Sequence, residues 1–158
     1  MRYSIIKFSV FIFVSFSFSS AFAKMTIEEL FFDNTKPFHL KIIEAIPEKG
    51  IVFIGPQNAK NTIIEFMDYF CGYCKKIHPE LIELVEKRKD TRVIFIQYPI
   101  LSEGSNFIAS MIVAANFQNK GIELHNEIFS MEGSINKEKL MQAVKKVGIN
   151  ETKLSIDM

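Results

Sequence analysis

The spacing of the two cysteines constrains this chain more than any other feature. Cys71 and Cys74 are the only cysteines, and they follow an apolar segment at the point where a helical pattern starts. At a helix N-terminus, unpaired backbone N–H groups and the helix dipole favour a thiolate on the first sulfur. The second sulfur lies one turn further on, close enough to form a disulfide with the first. The pattern therefore predicts a dithiol/disulfide couple that carries out thiol–disulfide exchange.

The first 23 residues have the three parts of a secretory signal peptide. Arg2 and Lys7 give a basic start, residues 8–18 are mainly apolar, and an A-x-A cleavage motif ends at Ala23. An uncleaved membrane anchor is the less favoured alternative, because serines interrupt the apolar run and it is short for a spanning helix. We therefore expect export, and an exported protein meets an oxidising compartment where a disulfide can persist.

Charge and cysteine content exclude several classes of protein. The full chain has a net charge of +1, and without Arg2 and Lys7 the remainder would carry −1. The sequence has no basic patch of the kind that would indicate a nucleic-acid partner or binding to a membrane surface. One cysteine pair closing a small ring also cannot staple a disulfide-rich scaffold. The length after the signal peptide suits one domain with one core.

Hydrophobic periodicity predicts an α/β domain after an N-terminal helical extension over residues 24–50. Within the domain, a helix over residues 71–88 separates two apolar strands, and this order predicts a parallel pair of strands. Beyond Pro99 the pattern is helical throughout, and Gly148 is expected to end one of the helices. The predicted strands cover 51–54, 62–67 and 92–98, and the later helices cover 105–119, 122–131 and 136–147, with another starting at 151.

The segment IIEFMDYFCGYCKK, from Ile63 to Lys76, resembles the thioredoxin superfamily and, more narrowly, the exported DsbA-like oxidoreductases. Pro79 in the active-site helix also fits that superfamily. So does the order of the later elements, in which a helical insertion starts at about residue 102, after the strand that ends near Tyr98. The resemblance covers residues 51–158 and implies a thioredoxin-like fold with a helical insertion.

The resemblance also implies a loop with a cis-proline after the insertion, which opens a β-hairpin and a final helix. The prolines of this chain stand at positions 37, 47, 56, 79 and 99, and none lies after the insertion. We therefore expect the closing hairpin and the last helix to be missing from this sequence. A sheet without those strands would keep an open side, which is an aggregation liability.

Three residues are candidates for the chemistry. Cys71 is the expected nucleophile, because it lies at the helix N-terminus and Lys75 and Lys76 add positive potential nearby. Cys74 is the expected resolving cysteine, which attacks the mixed disulfide. By resemblance, Glu65 takes the place of a buried acid that relays protons to or from Cys74. The alternative for Glu65 is a strand residue that points to solvent.

Aromatic residues and a histidine surround the cysteines. Tyr69, Phe70 and Tyr73 could form an apolar lip that receives an unfolded substrate chain, or they could pack the helix start. His78 can share a helical face with both cysteines, but a stable zinc site normally has four ligands in recognisable spacing. We therefore predict no metal and no cofactor, and expect His78 to be a partly exposed residue. The core-facing side of the helix is predicted as Ile77, Leu81, Leu84 and Val85.

The leading functional hypothesis is an exported thiol–disulfide oxidoreductase that acts on unfolded or reduced exported proteins. The resemblance implies a periplasmic location and a membrane redox partner, DsbB-like or DsbD-like. Three alternatives remain open. The Gly-Tyr dipeptide between the cysteines also resembles the DsbC-type isomerases and reductases. An incomplete chain could be a non-catalytic remnant of the fold, and the disulfide could be an inert structural bond.

Overall fold

The computed structural model describes residues 35–47 and 50–158 of the chain, without the side chain of residue 39. The predicted signal peptide and the start of the N-terminal extension lie outside the described residues. The described part of the extension contains helix α1 (Phe38–Ala45), which follows Pro37. Proline suits this position because its missing N–H would have no partner in the first turn of a helix.

A three-stranded sheet forms the centre of the described part. Its strands are β1 (Val52–Ile54), β2 (Asn61–Met67) and β3 (Thr91–Gln97), in the order β1-β3-β2. β2 and β3 are parallel, as predicted, and β1 pairs antiparallel with β3. β3 has a continuous apolar run because it is the central strand and both its faces are covered. Among the described residues, β2 therefore forms one edge of the sheet and ends directly before the cysteine segment.

The helices keep the predicted order, and their ends follow local capping rules. Helix α2 (Gly72–Lys87) connects β2 to β3, and it is followed by α3 (Glu103–Phe117), α4 (Gly121–Phe129), α5 (Lys137–Val147) and α6 (Glu151–Asp157). Side-chain oxygens of Ser102, Asn136 and Asn150 accept hydrogen bonds at the starts of α3, α5 and α6. Gly148 ends α5 with a φ of 75°, as the sequence predicts.

The core lies between the sheet and the helices that follow β3. Phe95 of the central strand is fully buried, as are Ile112 of α3 and Leu124 of α4. This arrangement confirms the thioredoxin-like α/β architecture with a helical insertion. No helix in the described residues is long and apolar enough to cross a membrane.

The predicted inner side of α2 is wrong at two positions. Ile77 is 43% exposed, whereas His78, expected to be partly exposed, is only 7% exposed. On the buried side of the helix lie Cys74, His78 and Leu81, at positions i, i+4 and i+7. This buried side starts one helical turn earlier than expected and does not include Ile77. Hydropathy favours isoleucine over histidine as a core residue, but the ring of His78 stacks on Phe129, with 4.8 Å between ring centroids.

Candidate active site

The two cysteines lie where β2 gives way to α2. Cys71 caps the helix in an extended conformation, and its Sγ accepts a hydrogen bond from the backbone N–H of Cys74 at 3.4 Å. The N–H of Cys71 donates to the carbonyl of Asp68 at 3.0 Å, and the Cys71 carbonyl accepts from Lys75 N. Both cysteines are free thiols and partly exposed.

The two thiols have opposite electrostatic environments. A hydrogen bond from the Cys74 side chain is the main cause that lowers the pKa of Cys71, and backbone N–H groups of Cys74 and Tyr73 add to it. Burial and the hydrogen bond to Cys71 raise the pKa of Cys74 to about 11. Near neutral pH the pair therefore favours a thiolate on the first sulfur and a thiol on the second.

The ammonium of Lys75, expected to add positive potential near Cys71, makes a hydrogen bond to the helical insertion. It donates this bond to the backbone carbonyl of Met131, just after the end of α4. The lowered pKa of Cys71 comes mainly from the hydrogen bonds at the helix start. Lys75 thus ties α2 to the helical insertion.

Glu65 lies beside Cys74, as its predicted role requires. It lies on β2 and is half-buried. Together with Cys74, Tyr73 and Ile77 it lines an open groove. Burial raises the pKa of Glu65, and the polar Cys74 side chain beside it partly offsets that rise. The alternative of a glutamate directed only to solvent does not fit this geometry.

Asp68 is a member of the site that sequence reasoning did not single out. It is only 5% exposed, and its carboxylate accepts four hydrogen bonds. Three come from backbone N–H groups before Cys71 and after β3, and the fourth comes from a serine hydroxyl at the start of α3. Burial alone would raise the pKa of Asp68, but these hydrogen bonds outweigh burial and lower it. The available sequence signal was the position of this acid, directly between an apolar strand and the cysteine segment. An acid that is buried at such a position needs hydrogen-bond partners, so its surroundings belong to the site.

A buried cluster of rings lies on the inner side of α2. Tyr69 is 4% exposed, and its hydroxyl is 2.7 Å from Nδ1 of His125. The His125 ring also contacts His78, Phe95 and Phe129. Of the two alternatives considered for Tyr69, the structure therefore favours packing over contact with a substrate. An isolated histidine such as His125 carries no spacing signal in the sequence.

Exposed apolar side chains flank Cys71 in the sequence. Phe70 is 44% exposed and Tyr73 is 85% exposed, so both remain available as a lip beside the cysteines. The loop after β3 adds Ile100 and Leu101, which are also exposed. Apolar side chains grouped beside a reactive group are typical of a site that contacts another molecule.

Potential metal ligands do not cluster in the described part of the chain. There, no three side chains of His, Cys, Asp or Glu come together as a metal-binding group. His78 is directed into the ring cluster and packs against Phe129.

The comparisons with known proteins agree with this geometry. A family model described as thioredoxin matches residues 48–156. A thioredoxin-like oxidoreductase from Silicibacter pomeroyi is 30% identical with a TM-score of 0.64, and the match covers 68% of this chain and 62% of that one. The thiol–disulfide exchange protein alpha-DsbA2 from Wolbachia pipientis is 29% identical with a TM-score of 0.61, covering 66% of this chain and 57% of that one.

A periplasmic thioredoxin-like protein from Salmonella enterica serovar Typhimurium is 25% identical with a TM-score of 0.61, covering 73% of this chain and 71% of that one. No curated protein matches the chain. The chain spans 62% of the Silicibacter structure and 57% of the Wolbachia structure. A family match over most of the described residues, with the same fold in these neighbours, shows that the chain belongs to the thioredoxin family, among the DsbA-like thioredoxin-fold proteins.

Proposed function

We propose that the chain catalyses thiol–disulfide exchange with protein cysteines through Cys71 and Cys74. The observation that carries the proposal is the placement of two neighbouring thiols at the start of α2, where Cys71 Sγ accepts a hydrogen bond from the backbone N–H of Cys74 at 3.4 Å. The pKa of Cys71 is lowered, and the pKa of Cys74 is raised to about 11. A nucleophilic cysteine needs a stabilised thiolate, and a resolving cysteine is best kept protonated until the mixed disulfide exists.

The exchange proceeds in two displacements at sulfur. The Cys71 thiolate attacks a substrate disulfide, forms a mixed disulfide, and releases one substrate sulfur as a thiolate. Cys74 then loses its proton and attacks Cys71 Sγ, which releases the second substrate sulfur and closes the Cys71–Cys74 disulfide. The substrate gains two electrons and the cysteine pair loses two. The reverse sequence oxidises a substrate dithiol.

Glu65 is proposed as the base that receives the proton of Cys74. The Glu65 carboxyl and the Cys74 side chain line the same groove, and burial raises the pKa of that carboxyl toward the range where it can accept and return a proton. Its place beside the resolving sulfur, away from Cys71, suits deprotonation of Cys74 in the second displacement.

The proposed substrates are unfolded or reduced exported proteins. Phe70 and Tyr73 expose apolar surface next to Cys71, which suits an unfolded chain that presents a cysteine among apolar side chains. The signal-peptide pattern favours export, and a periplasmic neighbour supports a periplasmic location. In that compartment a membrane redox partner, DsbB-like or DsbD-like, would restore the redox state of the cysteine pair.

An assay of insulin reduction by dithiothreitol tests the proposal. The chain should accelerate the reduction, and Cys71→Ser should abolish the acceleration while the protein keeps its circular-dichroism spectrum. A folded parent chain that gives no acceleration would overturn the proposal in favour of a non-catalytic remnant. The equilibrium with glutathione then separates an oxidase from an isomerase or reductase, because a more oxidising couple favours disulfide formation in substrates.

A further inference from the structure

The carboxylate of Asp68 joins three segments of the chain around the cysteines. Oδ1 accepts hydrogen bonds from Phe70 N and from Ser105 Oγ, both at 2.8 Å. Oδ2 accepts from the backbone N–H groups of Ile100 and Leu101, both at 3.0 Å. The segment before Cys71, the loop after β3 and the first turn of α3 therefore meet at one side chain.

No salt bridge accounts for this buried charge. Among the described residues, Asp68 has no lysine, arginine or histidine partner. Hydrogen bonds from backbone N–H groups can stabilise a buried carboxylate without a cation, and bonds to a charged group are about twice as strong as neutral ones. Each donor is therefore held firmly, and so is the backbone that carries it.

The backbone of Asp68 holds the first cysteine. Its carbonyl accepts a hydrogen bond from Cys71 N at 3.0 Å, and Cys71 Sγ in turn accepts a hydrogen bond from the backbone N–H of Cys74 at 3.4 Å. The side chain of Asp68 thus fixes the peptide segment that places Cys71 at the start of α2. The negative charge of Asp68 opposes the thiolate on Cys71, and a glutamate at this position would keep that charge.

We propose that Asp68 is a positioning residue that sets the balance between the dithiol and disulfide forms of Cys71 and Cys74. The inference rests on the proposed function, which makes that balance the working property of the protein. A thiolate sulfur accepts a hydrogen bond better than a disulfide sulfur, because the charged acceptor strengthens the bond. The bond from the Cys74 N–H to Cys71 Sγ, which Asp68 holds in place through Cys71 N, therefore stabilises the dithiol form more than the disulfide form.

The test compares Asp68→Glu with the parent chain in glutathione buffers. Glutamate keeps the charge, but its longer side chain cannot place both oxygens on the same four donors. We expect the equilibrium constant to shift toward the disulfide by at least about threefold, a part of the value of one hydrogen bond to a charged group. The ultraviolet titration of the thiolate should also shift from that of the parent chain.

Asp90→Glu is the matched control. Asp90 also accepts side-chain hydrogen bonds, but it lies at the other end of the sheet beside Arg88. We expect this variant to leave the glutathione equilibrium and the thiolate titration unchanged. If Asp68→Glu does not fold, Ser105→Ala removes one of the four hydrogen bonds and should shift the equilibrium in the same direction by a smaller factor.

A purely structural role for Asp68 would give a different result. The variant would then lose stability equally in the dithiol and disulfide forms, and neither the equilibrium constant nor the titration would change. That outcome overturns the inference. Both measurements report on the cysteine couple and not on turnover, so they remain readable if the parent chain fails to catalyse insulin reduction.

Discussion

The buried imidazole of His125 should make the stability of this protein fall on mild acidification. His125 is fully buried, and its Nε2 has no hydrogen-bond partner among the described residues. Burial, and then the neighbouring His78, lower the pKa of His125 from 6.5 to about 3. Folding therefore requires a neutral ring, whereas the unfolded chain protonates it below its ordinary pKa.

The size of the effect follows from proton linkage. The folded pKa lies below the unfolded pKa, so the unfolded state binds the extra proton and stability falls as the pH drops below 6.5. The slope is about 1.4 kcal/mol per pH unit. Between about pH 7.5 and about pH 5 the loss from His125 is therefore about 2 kcal/mol. His78, whose pKa is also lowered by burial, adds a loss of the same sign.

Urea unfolding in the presence of a reductant measures this loss directly. His125→Phe should be less stable at neutral pH, because the Tyr69 hydroxyl loses its partner, but it should lose about 2 kcal/mol less on acidification than the parent chain. Tyr69→Phe is the matched control: it breaks the same hydrogen bond and keeps the imidazole, so it should keep the pH dependence. Equal pH slopes for the parent and His125→Phe would refute the reasoning.

Two further predictions concern the turn after β1 and the proposed base. Gly55 has a φ of 94°, and an added Cβ would lie 2.6 Å from the carbonyl oxygen of Thr91, so Gly55→Ala should lower the free energy of unfolding by about 1–3 kcal/mol. Gly72→Ala, where a Cβ meets nothing within 4 Å, should change it little in urea unfolding, and equal losses would contradict the argument. Glu65→Gln should slow insulin reduction by at least about tenfold at neutral pH, because Cys74 loses its base. Glu80→Gln, in the same groove, should keep the parent rate, and an unchanged rate in Glu65→Gln would exclude the proposed proton transfer.

The order of elements was predictable because it depends on local signals. The continuous apolar run of β3, the cysteine pair at the start of α2 and Gly148 after α5 each mark an element or its end, and the structure has them where the sequence predicts. Strand–helix–strand order then required the parallel pairing of β2 with β3. None of these steps needs knowledge of which side chains meet in three dimensions.

The details of the site were less predictable because they depend on contacts between distant segments. Tyr69 and His125 are 56 positions apart, and no periodic pattern connects them. Asp68 is buried and hydrogen-bonded to several segments only because the loop after β3 folds back onto its carboxylate. The prediction that His78 is partly exposed was wrong, because hydropathy does not register the aromatic partners that let an imidazole stack in a core.

The most direct test of the central claim is to trap the mixed disulfide. Cys74→Ser should accumulate a disulfide between Cys71 and a cysteine of an unfolded substrate protein, because the resolving thiol is gone and the first displacement still occurs. Cys71→Ser should trap little, since the pKa of Cys74 is raised to about 11 and that sulfur stays protonated. Mass spectrometry of the trapped species identifies the linked residue. Equal trapping through Cys74, or none through Cys71 in a folded protein, would contradict the assignment of nucleophile and resolving cysteine.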